Sequence, residues 1–351
     1  MQTIVINARF LTQKITGTQR YAVEVSKILS ELNINTIFVS PNNVINEDIA
    51  YKLNFQKIGK FTGHLWEQFD LPFFLKKIGN PLLVNFVNTA PLFYKNQVVT
   101  IHDLAFLRHP EWFSKKFYLF YKFLIPKVAH SALKVITVSN FSKKEIISLL
   151  KIPEKKIEVV YGAVNKKFKP FYGEKGNYIL TVASLDPRKN FRNLILAFTK
   201  LKLRDYKLII VGRKNRIFSN KDLNFLITKI SNIEFTGYIS EEELIKLYQK
   251  AKLFIYPSLY EGFGLPPLEA MACGCPVVVS NVASLPEVCG DAAYYVNPYN
   301  VEDIARGIYE VLKDETLQKH LVQKGFKRAK QFSWEKTVKK ILKIIEEVTN
   351  L

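Results

Sequence analysis

The chain has 351 residues and a mass of 40.6 kDa, with 48% apolar and 23% charged side chains, a globular balance that excludes disorder and exceeds one ordinary hydrophobic core. No apolar run is longer than five residues, which excludes a membrane-spanning helix of about 20. Lys and Arg total 51 against 31 acids, and the net charge of +20 divides equally between residues 1–165 and the rest. Polyanionic partners such as nucleic acid, anionic lipid or phosphorylated substrates are therefore favoured, without a basic tail.

In chain order, "TIVINARF", "INTIFVS", "PLLVNFVN", "QVVTIHD", "KVITVSN" and "IEVVYGA" read as strands of the first half. A chain that opens on a strand points to no secretory leader. Amphipathic helices are expected between them, notably "QRYAVEVSKILSEL" and "SKKFYLFYKFLIPKVAHSAL". The stretch "VNKKFKPFYGEKGN" mixes Lys, Pro and Gly without an apolar period and reads as a linker. Beyond it, "NYILTVAS", "YKLIIVG", "IEFTGYI", "LFIYPS" and "CPVVVS" alternate with further helical patterns.

Near-continuous apolar strands interleaved with helices specify parallel sheets covered on both faces. The expectation is two doubly wound α/β domains with ligands at the carboxyl ends of the strands and an active site in the cleft between them. The boundaries expected are a first domain over 1–165, a linker over 166–176, a second domain over 177–332, and an amphipathic helix over 333–351 that returns to the first domain. Cys273, Cys275 and Cys289 lack C-x-x-C spacing and read as reduced, buried thiols of a cytosolic protein.

Four stretches carry chemistry. In "VASLDPRKNFRNLILAF", Asp186 and Pro187 mark a helix start, which puts Arg188 and Lys189 in a first turn, the unfavourable end of the helix dipole. A bound anion would reverse that sign, so a phosphate site is expected; the alternative is two cations extended into water. Gly17 precedes a helix with Gln19 and Arg20 in its first turn, and would let backbone approach a phosphate from the opposite domain. His102 ends the strand of "VVTIHDLAF" with no histidine partner at metal-ligand spacing, so it reads as a ligand hydrogen-bonding group or as a structural residue. In "YEGFGLPPLEAMACG", Glu261 on a Gly-rich loop and Glu269 in the next helix have seven residues between them, a spacing suited to two hydroxyl-bearing groups.

Cations for a diphosphate and carboxylates for two sugars describe a nucleotide sugar. In this context the chain resembles the retaining glycosyltransferases of family 4, whose GT-B architecture sets two Rossmann-like domains facing each other across a cleft. The motifs that carry the resemblance span nearly the whole chain: "TGTQRY", "IHDLAFLRHPEWF", "ITVSNFSKKEI", "LDPRKN", "GYISEEEL", "PSLYEGFGLPPLEAMACGCPVVVSN" and "LPEVCGDAAYYVNP". The N-terminal and His-Asp motifs are similar to a subgroup of bacterial mannosyl- and rhamnosyltransferases of O-antigen and capsule assembly.

The resemblance implies that Glu261 contacts donor-sugar hydroxyls, within a donor-binding loop that includes Gly262, Phe263, Gly264 and Leu265, and that Glu269 contacts the ribose. It implies that Arg188 and Lys189 bind the diphosphate, that Gly17 meets it from the first domain, and that His102 hydrogen bonds the donor sugar near the reacting carbon. Tyr238 and Ile239 fall where relatives hold the base through backbone. Many relatives carry an arginine at the strand end where this chain has Ala183-Ser184, which shifts the cationic role onto Arg188.

The activity implied is hexosyl transfer with retention, from a nucleotide-diphosphate sugar such as GDP-mannose to a sugar acceptor, expected to be lipid-linked, by a cytoplasmic enzyme peripheral on the inner face of the membrane. No D-x-D triplet occurs, so no metal and no other cofactor is expected, and Glu261→Ala is expected to cut turnover with the fold intact. The segment "EWFSKKFYLFYKFLIPK" suits an anionic membrane surface; its plain alternative is a helix that buries aromatics and solvates lysines. Readings of other classes are a GT-B sugar-nucleotide epimerase and a non-enzymatic basic membrane- or nucleic-acid-binding protein. No recognised nucleic-acid module supports the last, and no nucleic-acid partner is expected.

Overall fold

The computed structural model describes residues 3–32, 34–184, 186–212 and 231–349. The apolar runs of the first half pair in parallel as β1 (Ile4–Asn7), β2 (Thr36–Ser40), β3 (Gln56–Lys57), β4 (Leu82–Asn85), β5 (Gln97–Thr100), β6 (Lys134–Thr137) and β7 (Ile157–Val159), in the order β3-β2-β1-β4-β5-β6-β7. β1, β4 and β5 are buried along their whole length, as strands covered on both faces must be. β3, two exposed polar residues at the edge, has no apolar run to announce it. The α-helices between these strands are α1 (Gly17–Glu31), α2 (Glu47–Lys52), α3 (Gly63–Leu65), α4 (Leu71–Lys77), α5 (Ala105–Arg108), α6 (Lys115–Ser131) and α7 (Asn140–Leu150).

The second sheet holds β8 (Tyr178–Val182), β9 (Lys207–Val211), β10 (Ile233–Gly237), β11 (Leu253–Tyr256), β12 (Val277–Ser280) and β13 (Tyr294–Val296), again parallel, in the order β10-β9-β8-β11-β12-β13. In each sheet the first strand is interior and the winding reverses beside it, between β1 and β4 and between β8 and β11. Loops leaving the carboxyl ends of such a pair diverge and open a crevice, the usual ligand position in this class of sheet.

By its contacts the chain divides into Met1–Gly162 with Ser333–Leu351, and Ala163–Phe332. The segment 166–176, expected as a linker, groups with the second unit: Phe168 is buried, and Lys175 Nζ donates to Gln249 O at 2.6 Å and Gly274 O at 3.0 Å. The last helix, Trp334–Thr349, lays Val338, Ile341 and Ile345 into the first unit, each worth about 1.5–3 kcal/mol of apolar burial. Trp334 stands edge-on to Tyr21 of α1 at 5.7 Å, and Thr337 Oγ1 donates to Tyr161 O at 2.7 Å. Cys273, Cys275 and Cys289 are free and buried, and burial pushes each thiol up to about 12, so they stay protonated.

Candidate active site

The second unit's crevice is built from the loops that follow β8 and β11. After β8, Asp186 Oδ1 accepts the Arg188 N–H at 3.1 Å and caps a single 3-10 turn, Pro187–Lys189. Asn190 then takes a left-handed φ of 59°, and α8 (Phe191–Lys200) begins only beyond it. Arg188 and Lys189 therefore occupy a separate turn, whereas the sequence pointed to the first turn of the helix itself. Asn190 is the reason: its Nδ2 donates to Pro257 O at 3.1 Å and Pro298 O at 2.7 Å, which stitches the turn to neighbouring loops and breaks the helix here. Leu259 N–H adds a bond to Arg188 O at 2.7 Å. Leu185, in the same motif, lies outside the described residues.

This stitching brings the expected charges together. Lys189 Nζ lies 2.5 Å from Glu261 Oε1 and donates to Tyr256 Oη at 2.8 Å, with Lys189 only 8% and Glu261 7% exposed. Two of the three ammonium hydrogens are thereby used, and one remains for a ligand. Burial pulls the Glu261 carboxyl upward, but the Lys189 ammonium and then Arg188 outweigh it and hold it below the usual carboxylate range. Burial likewise pushes Lys189 below the ordinary lysine value, against the pull of Glu261. Arg188 Nε lies 3.5 Å from Asp186 Oδ2.

The loop from Glu261 to Gly264 is buried and pinned from behind, with Ser284 Oγ 3.0 Å from Glu261 O and 2.9 Å from Phe263 O. Phe263 turns its ring inward onto Phe332, centroids 5.7 Å apart, so its backbone is the part that could meet a ligand. Gly264 has φ 98°, and a Cβ there would stand 2.8 Å from Leu285 Cδ2. The helix that follows starts at Leu265, but Pro266 and Pro267 carry no N–H, so its first turn is poor in donors for a phosphate. The cations beside this loop are Arg188 and Lys189, both close enough to act on the Glu261 carboxyl. Glu269 is buried in this helix and accepts from Tyr248 Oη at 3.0 Å.

Tyr248 and Tyr256 were not anticipated from the sequence. With Phe254 they form a row, at centroid spacings of 5.4 and 5.9 Å, that joins the seats of the two carboxylates. Burial, then the adjoining Glu269 or Glu261, raises both phenols well above the ordinary tyrosine value, so both remain neutral donors. The signal available was a hydroxyl closing an otherwise apolar strand, "LFIY". Tyr238 and Ile239 follow β10 at the same carboxyl edge, two strands from β8, with Tyr238 exposed and Ile239 half-buried.

In the first unit, Gly17 is exposed at the start of α1, and a Cβ placed on it would meet nothing within 4 Å. His102 is buried; its N–H donates to Asn88 Oδ1 at 2.8 Å and its Nε2 lies 2.9 Å from Phe86 O. A carbonyl accepts, so Nε2 carries the proton and Nδ1 the lone pair, and burial pushes the imidazole below its ordinary value, keeping it neutral. The motif "ITVSNFSKKEI" supports this residue: Ser142 Oγ donates to His102 O at 2.9 Å, and Glu145 accepts both Arg108 Nε at 2.8 Å and Nη2 at 2.7 Å. Asp103 Oδ1 accepts the Ala105 N–H at 3.1 Å.

A second buried charge cluster, also missed, sits between the ends of β1 and β4. Glu67 Oε1 accepts from Arg9 Nε at 3.1 Å and from Asn7 Nδ2 at 3.0 Å, while Arg9 Nη2 donates to Thr89 Oγ1 at 2.6 Å. His64 Nδ1 lies 3.4 Å from Glu67 Oε2. Burial opposes ionisation of Glu67, but Arg9 and then His64 outweigh it and lower the carboxyl from 4.5 to about 2. Each unit thus holds an acid–base pair at the point where its sheet reverses.

With this geometry in place, likeness to known proteins is informative. Residues 15–168 match the family described as Glycosyltransferase Family 4, and residues 164–328 match Glycosyl transferases group 1. O-antigen chain mannosyltransferase B of Escherichia coli is 35% identical over 72% of this chain and 71% of its own length. The chain belongs to glycosyltransferase family 4. This glycosyltransferase is also 32% identical to the O-antigen chain mannosyltransferase RfbU of Salmonella typhimurium, over 84% of the chain and 87% of the relative. Among solved structures, HepE of Anabaena in complex with UDP and glucose superposes with a TM-score of 0.79 at 16% identity, covering 99% of this chain and all of that one. The glycosyltransferase has the GT-B fold.

Proposed function

We propose that this glycosyltransferase moves a hexose of the mannose or rhamnose type, with retention, from a nucleotide-diphosphate sugar to a lipid-linked sugar acceptor in the assembly of a bacterial surface polysaccharide. The observation that carries the reading is the buried Lys189–Glu261 pair, a cation for phosphate and a carboxylate for hydroxyls fixed side by side. Arg188 and the remaining hydrogen of Lys189 hold the diphosphate, and Gly17 admits it without a side chain in the way. Glu261 accepts from donor-sugar hydroxyls, Glu269 from the ribose, and the backbone at Tyr238 and Ile239 meets the base. His102, neutral, accepts a sugar hydroxyl at Nδ1.

The acceptor oxygen bonds to the anomeric carbon on the face the diphosphate leaves. The bond from that carbon to the phosphate oxygen breaks, and the acceptor's proton passes to a phosphate oxygen of the leaving group. Fixed cations stabilise the charge that develops, without a metal ion. The names of the two relatives support the sugar and the setting, and the HepE complex supports the donor class. The lysine-rich α6 suits the inner membrane face, where a lipid-linked acceptor would lie.

Donor consumption with GDP-, UDP- and dTDP-sugars, with and without a lipid-linked oligosaccharide, tests the reading. Acceptor-dependent turnover that survives EDTA and gives a product of retained anomeric configuration is expected. Conversion of the donor without acceptor would favour an epimerase, and loss of turnover in EDTA would overturn the metal-free step.

A further inference from the structure

The helical segment 63–77 is apolar on two opposite faces. Inward, Trp66, Leu71 and Leu75 are buried with Val5 and Leu83 of the first sheet, and Trp66 Nε1 donates to Ile58 O at 2.8 Å. Outward, Leu65, Phe69 and Phe73 are 58%, 62% and 74% exposed. A helix apolar all round belongs in an interior, yet this outer face stays in solvent. It is also firmly held. A π-helical turn, Trp66–Asp70, carries Phe69, and Asp70 Oδ2 accepts the Lys60 N–H at 2.8 Å and the Phe61 N–H at 2.7 Å. That clamp sets exposed Phe61 beside Phe69, ring centroids 6.3 Å apart.

The segment meets α6 through His64, whose ring lies 4.7 Å from Phe120 and 6.0 Å from Tyr121. α6 exposes Leu119 and Phe123 and carries four lysines and no acid. Across 60–77 the exposed charges are Lys60, Lys76 and Lys77; the two acids there are occupied, Glu67 buried against Arg9 and Asp70 in the clamp. An apolar ridge on two segments, 60–77 and α6, whose exposed charges are all ammonium groups fits a bilayer with anionic headgroups, where rings enter the acyl boundary and cations meet phosphates. A second copy of the chain would bring lysines against lysines.

We infer that segment 60–77 and α6 form one docking face for an anionic lipid bilayer, with Phe61, Leu65, Phe69 and Phe73 as the inserted ridge. The inference rests on the lipid-facing reading of α6 and adds the element that penetrates. Its test is flotation of the full chain with phosphatidylglycerol–phosphatidylcholine vesicles and with phosphatidylcholine alone. Three proteins are compared: the natural chain, Phe69→Ser with Phe73→Ser, and Lys122→Glu with Lys127→Glu. Thermal unfolding and light scattering on each serve as controls.

The natural chain is expected to float only with anionic vesicles, and either double substitution to weaken binding about tenfold or more with an unchanged melting temperature. Should the natural chain stay in solution, the lipid reading itself fails. Should the lysine variant lose binding while the phenylalanine variant keeps it, the reading stands and the inserted ridge does not. A ridge substitution that abolishes self-association and leaves flotation intact would assign the face to a second copy. Transfer to a water-soluble acceptor, measured on all three, keeps the glycosyl-transfer reading separate from both results.

Discussion

The Lys189 ammonium and the Glu261 carboxylate meet as an ion pair in which neither side chain is more than one-tenth exposed. Breaking such a pair from one side leaves a charge stranded in low dielectric, at a cost of about 3–5 kcal/mol. Glu261→Ala is thus expected to weaken the fold as well as the reaction, which corrects the sequence-based expectation of an intact fold. Glu261→Gln should lower kcat by about a hundredfold or more. Adding Lys189→Met should restore melting temperature relative to Glu261→Gln alone but not turnover. A Glu261→Gln enzyme within tenfold of the natural rate would remove the carboxylate from the mechanism.

Glu269→Gln keeps an acceptor for Tyr248 Oη and removes the charge offered to a ribose. Charge-assisted hydrogen bonds are worth about 1.5–3 kcal/mol, so affinity for a nucleoside diphosphate should fall about tenfold to a hundredfold by calorimetry. The same substitution should make little difference to a 2′,3′-dideoxynucleotide. An equal loss with both ligands would place Glu269 away from the ribose.

Gly17→Ala separates a ligand-approach role from a helix-starting one. Alanine is the better helix former, by up to about 1 kcal/mol, and a Cβ at Gly17 finds open space. Melting temperature is expected to hold or rise while KM for the sugar nucleotide increases severalfold. An unchanged KM would make Gly17 no more than a helix start.

Glu67 dictates an acid limb of stability. Its carboxyl falls from 4.5 to about 2 in the folded state, so its contribution is complete above pH 4.5 and drains away as pH drops toward 2, by about 3 kcal/mol in all. Urea unfolding of Glu67→Gln should show a flatter dependence than the natural chain within that window. Parallel curves would mean that other carboxylates set the acid limb.

Strand runs such as "LLV" and "VVV", and the strand–loop–helix punctuation, made both sheets legible, because parallel strands buried on two faces need unbroken apolar residues. β3 and β13 were not legible: one is a two-residue exposed edge, the other a three-residue half-buried strand closing the second sheet. Glu261 and Glu269 stood out through their spacing in a Gly- and Pro-rich stretch. Their partners did not, since Lys189 and Glu261 lie 72 positions apart and Arg9 and Glu67 lie 58 apart. Local periodicity holds no record of contacts that only the sheet order creates. The 3-10 turn at Arg188 was hidden for the same reason, as the carbonyls that capture Asn190 come from Pro257 and Pro298.

Because Trp334–Thr349 docks beside α1 and against Tyr161, β1 and this last helix belong to one unit, and the 170 residues of the other lie between them in sequence. Tension applied between β1 and that helix would therefore run through the first unit and bypass the second, whose residues would bear load only after the docked helix peels away.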